Sequence, residues 1–202
     1  MPRPSNTAAR RSEIVQGLLT VMAREGYDAA SVLKIAAAAG LTAGLVHYHF
    51  ESKQQVLVAL VDHLVAVVDA RASTRSASAA DARGRLHALI DAHLALGDDA
   101  DLRAVAAWSV VGAEALRQAE VQAVYRAALE HSLARLSELA RAAIAVGGVR
   151  PGTRRPRLVA AAVLAAIEGA YRIAASAPGL LPEGFAAPMV RQLADALCEV
   201  GK

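Results

Sequence analysis

The sequence predicts an all-α protein, and three observations carry that reading. Ala dominates, with Leu and Val next, in a chain that is 55% hydrophobic and only 3% aromatic. Ala and Leu are strong helix formers. Apolar residues recur at steps of three and four, while strand-like alternation is hard to find. At 202 residues the chain suits one or two domains, with about 70% of the unfolded surface buried on folding.

Taken in order, residues 1–9 carry Pro2, Pro4 and small polar side chains and are expected to be disordered. A helix over 10–24 follows, with Ile14, Val15, Leu18, Leu19 and Met22 on one face. Gly26 ends it and Tyr27 packs back on that face. A short helix runs from a Ser31 cap to Ala39, and another ends at Phe50. Ser52 caps a long helix through Val56, Leu57, Leu60, Val61, Leu64 and Val68. Residues 72–80, ASTRSASAA, lack apolar periodicity and read as a helix end and loop. The domain boundary falls in or just before this stretch, giving domains 8–68 and 69–202. Five more helices are expected over 82–96, 102–116, 120–145, 155–175 and 183–200, about nine in all. Gly97-Asp98-Asp99, Gly147-Gly148, Pro151-Gly152 and Pro178-Gly179 separate them.

Residues 31–53, SVLKIAAAAGLTAGLVHYHFESK, organise the N-terminal part. Ala36, Gly40 and Val46 stand at offsets of four and ten, which suits two short helices crossing at a tight turn. Ala36 is small enough for a helix to pack against. Gly40 can take the left-handed conformation that ends a helix. Thr42 can cap the next one. Val46 and Phe50 would face inward with Ile35 and Leu41. This is a helix-turn-helix outline, whose second helix enters the major groove of DNA. At 100° per residue, with Val46 inward, Gly44 and Tyr48 lie opposite, Leu45 and His47 on the flanks, and His49 towards the inner edge. Gly44 allows close backbone approach, His47 and Tyr48 carry hydrogen-bonding rings, and Leu45 suits a thymine methyl. Lys53, on the first turn of the long helix, suits a phosphate. The same outline also occurs in helical bundles that never touch DNA.

Net charge is +3, from 22 basic and 19 acidic residues, too mild an excess to establish nucleic-acid binding alone. Arg3, Arg10 and Arg11 precede the first acid, Glu13, as a short basic arm. Cys198 is the only cysteine, so no intrachain disulfide can form; a reducing cytoplasm fits, and a buried or idle thiol is the expected state. The polar N-terminus lacks the apolar core of a signal peptide. The apolar stretch 158–175 is interrupted by Glu168, Gly169 and Arg172 and reads as a helix buried in protein.

The stretch IAAAAGLTAGLVHYHFESKQQVL resembles the N-terminal domain of the TetR family of bacterial transcriptional regulators. The family pattern is roughly IA-x-x-AG-[VL]-[ST]-x-G-x-[LIV]-Y-x-[HY]-F-x-[SN]-K-x-x-L. Ile35, Ala36, Ala39, Gly40, Leu41, Thr42, Gly44, Val46, His49, Phe50, Ser52, Lys53 and Leu57 match it. The form GLVHYHF is most similar to BetI-like members. Three positions depart: His47 stands where Tyr is usual, Leu45 replaces a small polar residue, and Leu33 replaces a basic residue found in some members. The resemblance implies an N-terminal helix-turn-helix domain joined by the long helix to a helical effector-binding and dimerisation domain. It implies a homodimer on a palindromic operator, usually as a repressor, released by a small-molecule effector. The DNA-contact set is then Arg10, Ser31, Lys34, Thr42, Ala43, Gly44, Leu45, His47, Tyr48, His49 and Lys53.

Dimerisation through the last two helices has support in the sequence. Val159, Val163, Ala166, Ile167 and Ala170 on one helix, and Val190, Leu193, Leu197 and Val200 on the other, suit a four-helix bundle with symmetry mates. The same residues equally suit a monomer core. For an effector pocket the candidates are His63, Trp108, Glu114, Tyr125, Glu168 and Tyr171, polar or aromatic groups within or beside apolar stretches. Glu168 either serves a ligand or pairs with Arg172, four residues on. Glycine-rich phosphate loops, G-x-S-x-G and HExxH are absent, and the His47/His49 and His87/His93 spacings are poor for metal. No enzyme activity and no cofactor are expected. A helical enzyme without a recognisable motif, or an interaction module that lost DNA binding, are the alternative classes.

Overall fold

A computed structural model describes residues 6–94, 101–146 and 154–199. Among the described residues there are nine helices and no strand. They are α1 (Asn6–Glu25), α2 (Val32–Ala38), α3 (Ala43–His49), α4 (Lys53–Ser76), α5 (Ala82–Leu94), α6 (Leu102–Glu114), α7 (Ala119–Val146), α8 (Arg154–Ser176) and α9 (Ala186–Glu199). The all-α expectation and the order of elements are therefore met.

Three boundaries differ from the sequence reading, each for a physical reason. Residues 6–9, expected to be disordered, are the first turn of α1. Pro2 and Pro4 lie ahead of that turn, where proline does not oppose a helix, and Ala8 and Ala9 favour one. α4 continues to Ser76, into the stretch expected as a loop. Ala72 is fully buried there, and the Thr74 hydroxyl donates back to the Ala70 carbonyl (3.1 Å). α9 starts at Ala186 rather than 183, because Gly184 adopts φ +72° in the turn before it. The breaks expected at 97–99, 147–148 and 151–152 lie outside the described residues, as do Arg3 and Val200.

The helices form two compact units. The first comprises Met1–Leu64 and Asp101–Arg126, and the second Val65–Ala100 and Ala127–Lys202. In the first, α1 packs against α2, α3 and α6. Ile14, Leu18, Leu19 and Met22 of α1 are buried, as are Ile35, Val46, Phe50, Leu57 and Leu60. Gly17 marks the closest approach. A Cβ there would stand 2.6 Å from the Ile35 carbonyl oxygen and 3.1 Å from the Ala39 Cβ. That contact explains a glycine in mid-helix, where it costs about 1 kcal/mol relative to Ala.

In the second unit the core joins Leu86, Leu89 and Ile90 of α5, Leu136, Ala140 and Ile144 of α7, Val159, Val163 and Ile167 of α8, and Val190 and Ala194 of α9. Remote hydrogen bonds and ion pairs tie α5 to α9. His87 donates to Asp195 (2.9 Å), Arg83 to Glu199 (2.9 Å) and Arg191 to Asp91 (3.1 Å). Arg155 donates to the Cys198 carbonyl (3.0 Å), closing the C-terminal end of α9. Cys198 itself is buried, which pushes its thiol pKa up.

The unit's own core settles part of the question posed by α8 and α9. Val159, Val163, Ile167 and Val190 pack inside one chain rather than forming an outward patch, and Ala166, Ala170 and Leu197 lean on the same core. By length and composition Arg155–Ser176 is apolar enough to cross a membrane. It was expected to be buried, yet much of it stays outside this core: Leu158 and Ile173 are exposed.

Candidate nucleic-acid interface

α2 and α3 are built by local signals. The Ser31 hydroxyl accepts from the Lys34 N–H (3.3 Å), and Thr42 Oγ1 accepts from the Leu45 N–H (3.3 Å), satisfying one orphan donor at each N-terminus. Gly40 takes φ +67°. Beside it, Leu41 N–H donates to the Ala36 carbonyl (2.8 Å) and Gly40 N–H to that of Ala37 (3.2 Å), a Schellman closure of α2. Ser52 accepts from the Gln55 N–H (3.2 Å), which starts α4 where the spacing predicted.

The helical period of α3 matches its burial. Val46 and Phe50 are in the core, Leu45 and His49 are half-buried, and Gly44 and His47 are exposed. Tyr48 is 79% exposed, with its ring edge-on to His49 at 5.0 Å. Leu41, expected in the small core, is only half-buried. Ser31, Lys34 and Thr42 are exposed and Ala43 is half-buried. Leu33, one of the departures from the family pattern, is 72% exposed on α2. A rigid helix thus presents a backbone-thin, aromatic and imidazole-bearing face to solvent.

The cations around this face are less free than the sequence suggested. Arg10, in α1 rather than in an arm, pairs with Glu13 (2.7 Å). Arg11 donates to the His49 carbonyl (2.6 Å), and its guanidinium lies 4.0 Å above the Phe50 ring. It closes the C-terminal end of α3. Lys34 pairs with Glu25 (2.5 Å), which holds that carboxyl below its ordinary pKa. Lys53 Nζ donates to the Tyr27 carbonyl (3.0 Å) and sits 4.1 Å over the Tyr27 ring. One of its three N–H donors is used in that bond. Burial, with Glu114, Asp28 and Glu120 nearby, pushes the Tyr27 hydroxyl up to about 12, so the ring stays neutral beneath the ammonium.

The six effector candidates fall in different units. His63, Trp108, Glu114 and Tyr125 belong to the first. Trp108 and Tyr125 meet with ring centroids 5.0 Å apart, and Gly112 leaves room for the Tyr125 hydroxyl, which a Cβ would approach to 3.2 Å. Glu114 is buried and accepts from Gln118 (2.8 Å). Gln16 donates to His63 Nε2 (2.9 Å). Glu168 and Tyr171 belong to the second unit, where the Glu168 charge acts with burial to raise the Tyr171 pKa. Tyr171 Oη donates to the His93 carbonyl (2.7 Å) and contacts His93 Nδ1 (3.3 Å). Asp69, His131 and Arg135 surround the same histidine electrostatically; Asp69 accepts from His131 (2.9 Å) and pairs with Arg135. Burial drives the His93 pKa down to about 4.

Gly17 is a contributor that the sequence pattern did not single out, and Arg11 and His93 take roles other than the basic arm and the metal pair weighed there. A glycine between Gln16 and Leu18 in a run of helix formers was a visible anomaly. Nothing local points to His93, whose partner is 78 residues away. Among the described residues no group of three His, Cys, Asp or Glu side chains gathers to hold a metal ion.

Residues 14–60 match the family model of bacterial regulatory proteins of the tetR family, and residues 82–199 match that of the BetI-type transcriptional repressor C-terminal part. Over 122 residues the chain is 33% identical to the HTH-type transcriptional regulator BetI of Rhizobium meliloti, covering 60% of either protein. It therefore spans about three fifths of that relative's length. A TetR-family transcriptional regulator from Rhodococcus sp. superposes with a TM-score of 0.80 at 19% identity, over 95% of this chain and 99% of that one. A transcriptional regulator from Saccharomonospora viridis in complex with choline superposes with a TM-score of 0.75 at 22% identity, over 96% and 97%. At these identities the two structures speak for the fold.

Proposed function

Since the chain belongs to the TetR family of bacterial regulatory proteins and is a DNA-binding transcriptional regulator, we infer that it is a repressor that binds a palindromic operator as a homodimer and leaves it when a small-molecule effector binds. Residues 8–68 are the DNA-binding domain and 69–202 the effector-binding and dimerisation domain, acting in the cytoplasm. The observation that carries the reading is the outward face of α3. Gly44, His47 and Tyr48 are exposed while Val46 and Phe50 lock the helix from behind. Such a face enters a major groove with its N-terminal residues towards base edges. Thr42, Ala43 and Leu45 flank it, and Lys53, Lys34, Ser31 and Arg10 supply backbone contacts.

The dimer forms through α8 and α9. Their inward residues are used in the unit's own core, so the outward faces are left for the partner. On α8 these are Leu158, Ala161, Ala165 and Gly169, and on α9 Pro188, Gln192 and Ala196. Small side chains at three- and four-residue steps let two helices approach closely, and an isologous patch of this kind closes a two-fold pair. α4 carries residues of both units in one continuous helix. An effector that tilts it changes the separation of the two readers, so one state fits DNA and the other does not.

Gel shift with DNA from upstream of the chain's own gene tests this. A discrete complex about a thousandfold tighter than on scrambled DNA is expected, at two chains per site. Choline, bound by the Saccharomonospora viridis relative, is the first compound to try for release. Equal affinity for scrambled DNA would remove the reading.

A further inference from the structure

Among the described residues, His93 Nε2 is a buried polar atom that no hydrogen-bond donor meets. Its surroundings fix what it needs. Tyr171 has one hydroxyl proton, and the 2.7 Å bond to the His93 carbonyl uses it. At the 3.3 Å contact with the ring, the Tyr171 oxygen must therefore accept and His93 Nδ1 must carry the hydrogen. Burial keeps the ring neutral at physiological pH. A neutral imidazole with its hydrogen on Nδ1 has a bare lone pair on Nε2, which can only accept.

Leaving such an acceptor unmet is costly, so native proteins keep few of them without a use. Asp69 cannot meet it, being an acceptor itself and already engaged by His131 and Arg135. We propose that His93 Nε2 is a recognition point for the effector, taking a hydrogen bond from a hydroxyl or N–H group of the bound molecule, with Tyr171 holding the ring in the accepting tautomer. This rests on the reading of the second half as effector-binding. It narrows the effector to molecules that carry a hydrogen-bond donor, since the site offers no use for a pure acceptor at that atom. His93 contacts the ligand, and Tyr171 is a positioning residue.

The test uses the full chain labelled with ¹⁵N-histidine. The His93 resonances of the free protein should report hydrogen on Nδ1 and a bare, unengaged Nε2 at neutral pH. Choline and glycerol are then titrated beside their fully O-methylated ethers, which keep the carbon skeleton but carry no hydroxyl proton. At least one donor should move the Nε2 resonance while its ether leaves it in place. That donor should bind His93→Phe about three- to tenfold more weakly. His93→Phe should also melt at a higher temperature than wild type, because it removes an unmet acceptor and leaves the carbonyl that Tyr171 uses; a merely structural histidine would give the opposite. A hydrogen on Nε2, an Nε2 already engaged by a resident water, or no difference between donors and ethers overturns the proposal. Gel shifts with the same compounds separate the two readings. Operator release by a compound that leaves Nε2 unmoved removes this inference alone. Movement of Nε2 without operator release removes the effector reading alone.

Discussion

In α2 and α3 the side-chain caps close within three residues, from Ser31 to Lys34 and from Thr42 to Leu45. In the second unit the comparable bonds join residues far apart in the chain. His87 reaches Asp195 across 108 residues, Arg83 reaches Glu199 across 116, and Tyr171 reaches His93 across 78. On the proposed function, the difference would separate two jobs. A reader must present one face in one geometry; local caps start its two helices, and Arg11 with the packing of α1 holds them. A half that responds to a ligand must shift between arrangements, and bonds between distant helices are the ones a ligand can make or break.

The sharpest way to break this comparison is Gly17→Ala. The added Cβ meets backbone, the Ile35 carbonyl at 2.6 Å, so relief requires prising α1 from α2. A loss of about 3 kcal/mol is expected, with hydrogen exchange rising in α1 to α3 and unchanged in α5 and α9. Equal loosening of both units would mean that the reader is not independently held. Next comes pH. His93 has a folded pKa of about 4, below the ordinary value of 6.5. Between those values the unfolded chain binds the extra proton, so stability is full above about pH 6.5 and falls as pH drops towards 4. The expected loss is about 2 kcal/mol between roughly pH 7.5 and pH 5. Urea unfolding followed by circular dichroism reads it, and His93→Phe should flatten that slope.

Smaller effects probe the reader alone. Thr42→Ala removes the cap of α3 and should cost about 1 kcal/mol, seen as faster exchange of the Leu45 amide. Lys53→Ala should weaken binding to all DNA sequences alike and lower the salt slope by about one phosphate contact, measured by anisotropy over a salt series. An unchanged slope would leave Lys53 as a strut on Tyr27 and nothing more.

Legibility in the sequence follows the same divide. The caps at Ser31, Thr42 and Ser52 and the positive φ at Gly40 were readable because each is specified by residues within a few positions. So was the outward face of α3, since one helical period and one buried valine determine it. The end of α4 was not readable, because burial of Ala72 by distant helices overrides its polar neighbours. Nor was the inward side of α8. Its apolar residues fit a partner or the chain's own core equally well by pattern, and only the packing of α5, α7 and α9 assigns Val159, Val163 and Ile167 to the core. The packing of residues 101–126 with 1–64 is likewise invisible in sequence order. Arg11 and Lys53 show the same limit for charge. Composition counts them as free cations, while the fold turns one onto Phe50 and the other onto Tyr27.

The central claim is that the exposed face of α3 reads DNA sequence. The double substitution His47→Ala, Tyr48→Ala tests it most directly, since both side chains point to solvent and their loss leaves Val46 and Phe50 in place. Affinity is measured by fluorescence anisotropy on the operator and on scrambled DNA of equal length. The account predicts operator affinity about a hundredfold weaker, unchanged affinity for scrambled DNA and an unchanged melting temperature. Full sequence-specific affinity in the double variant would contradict it.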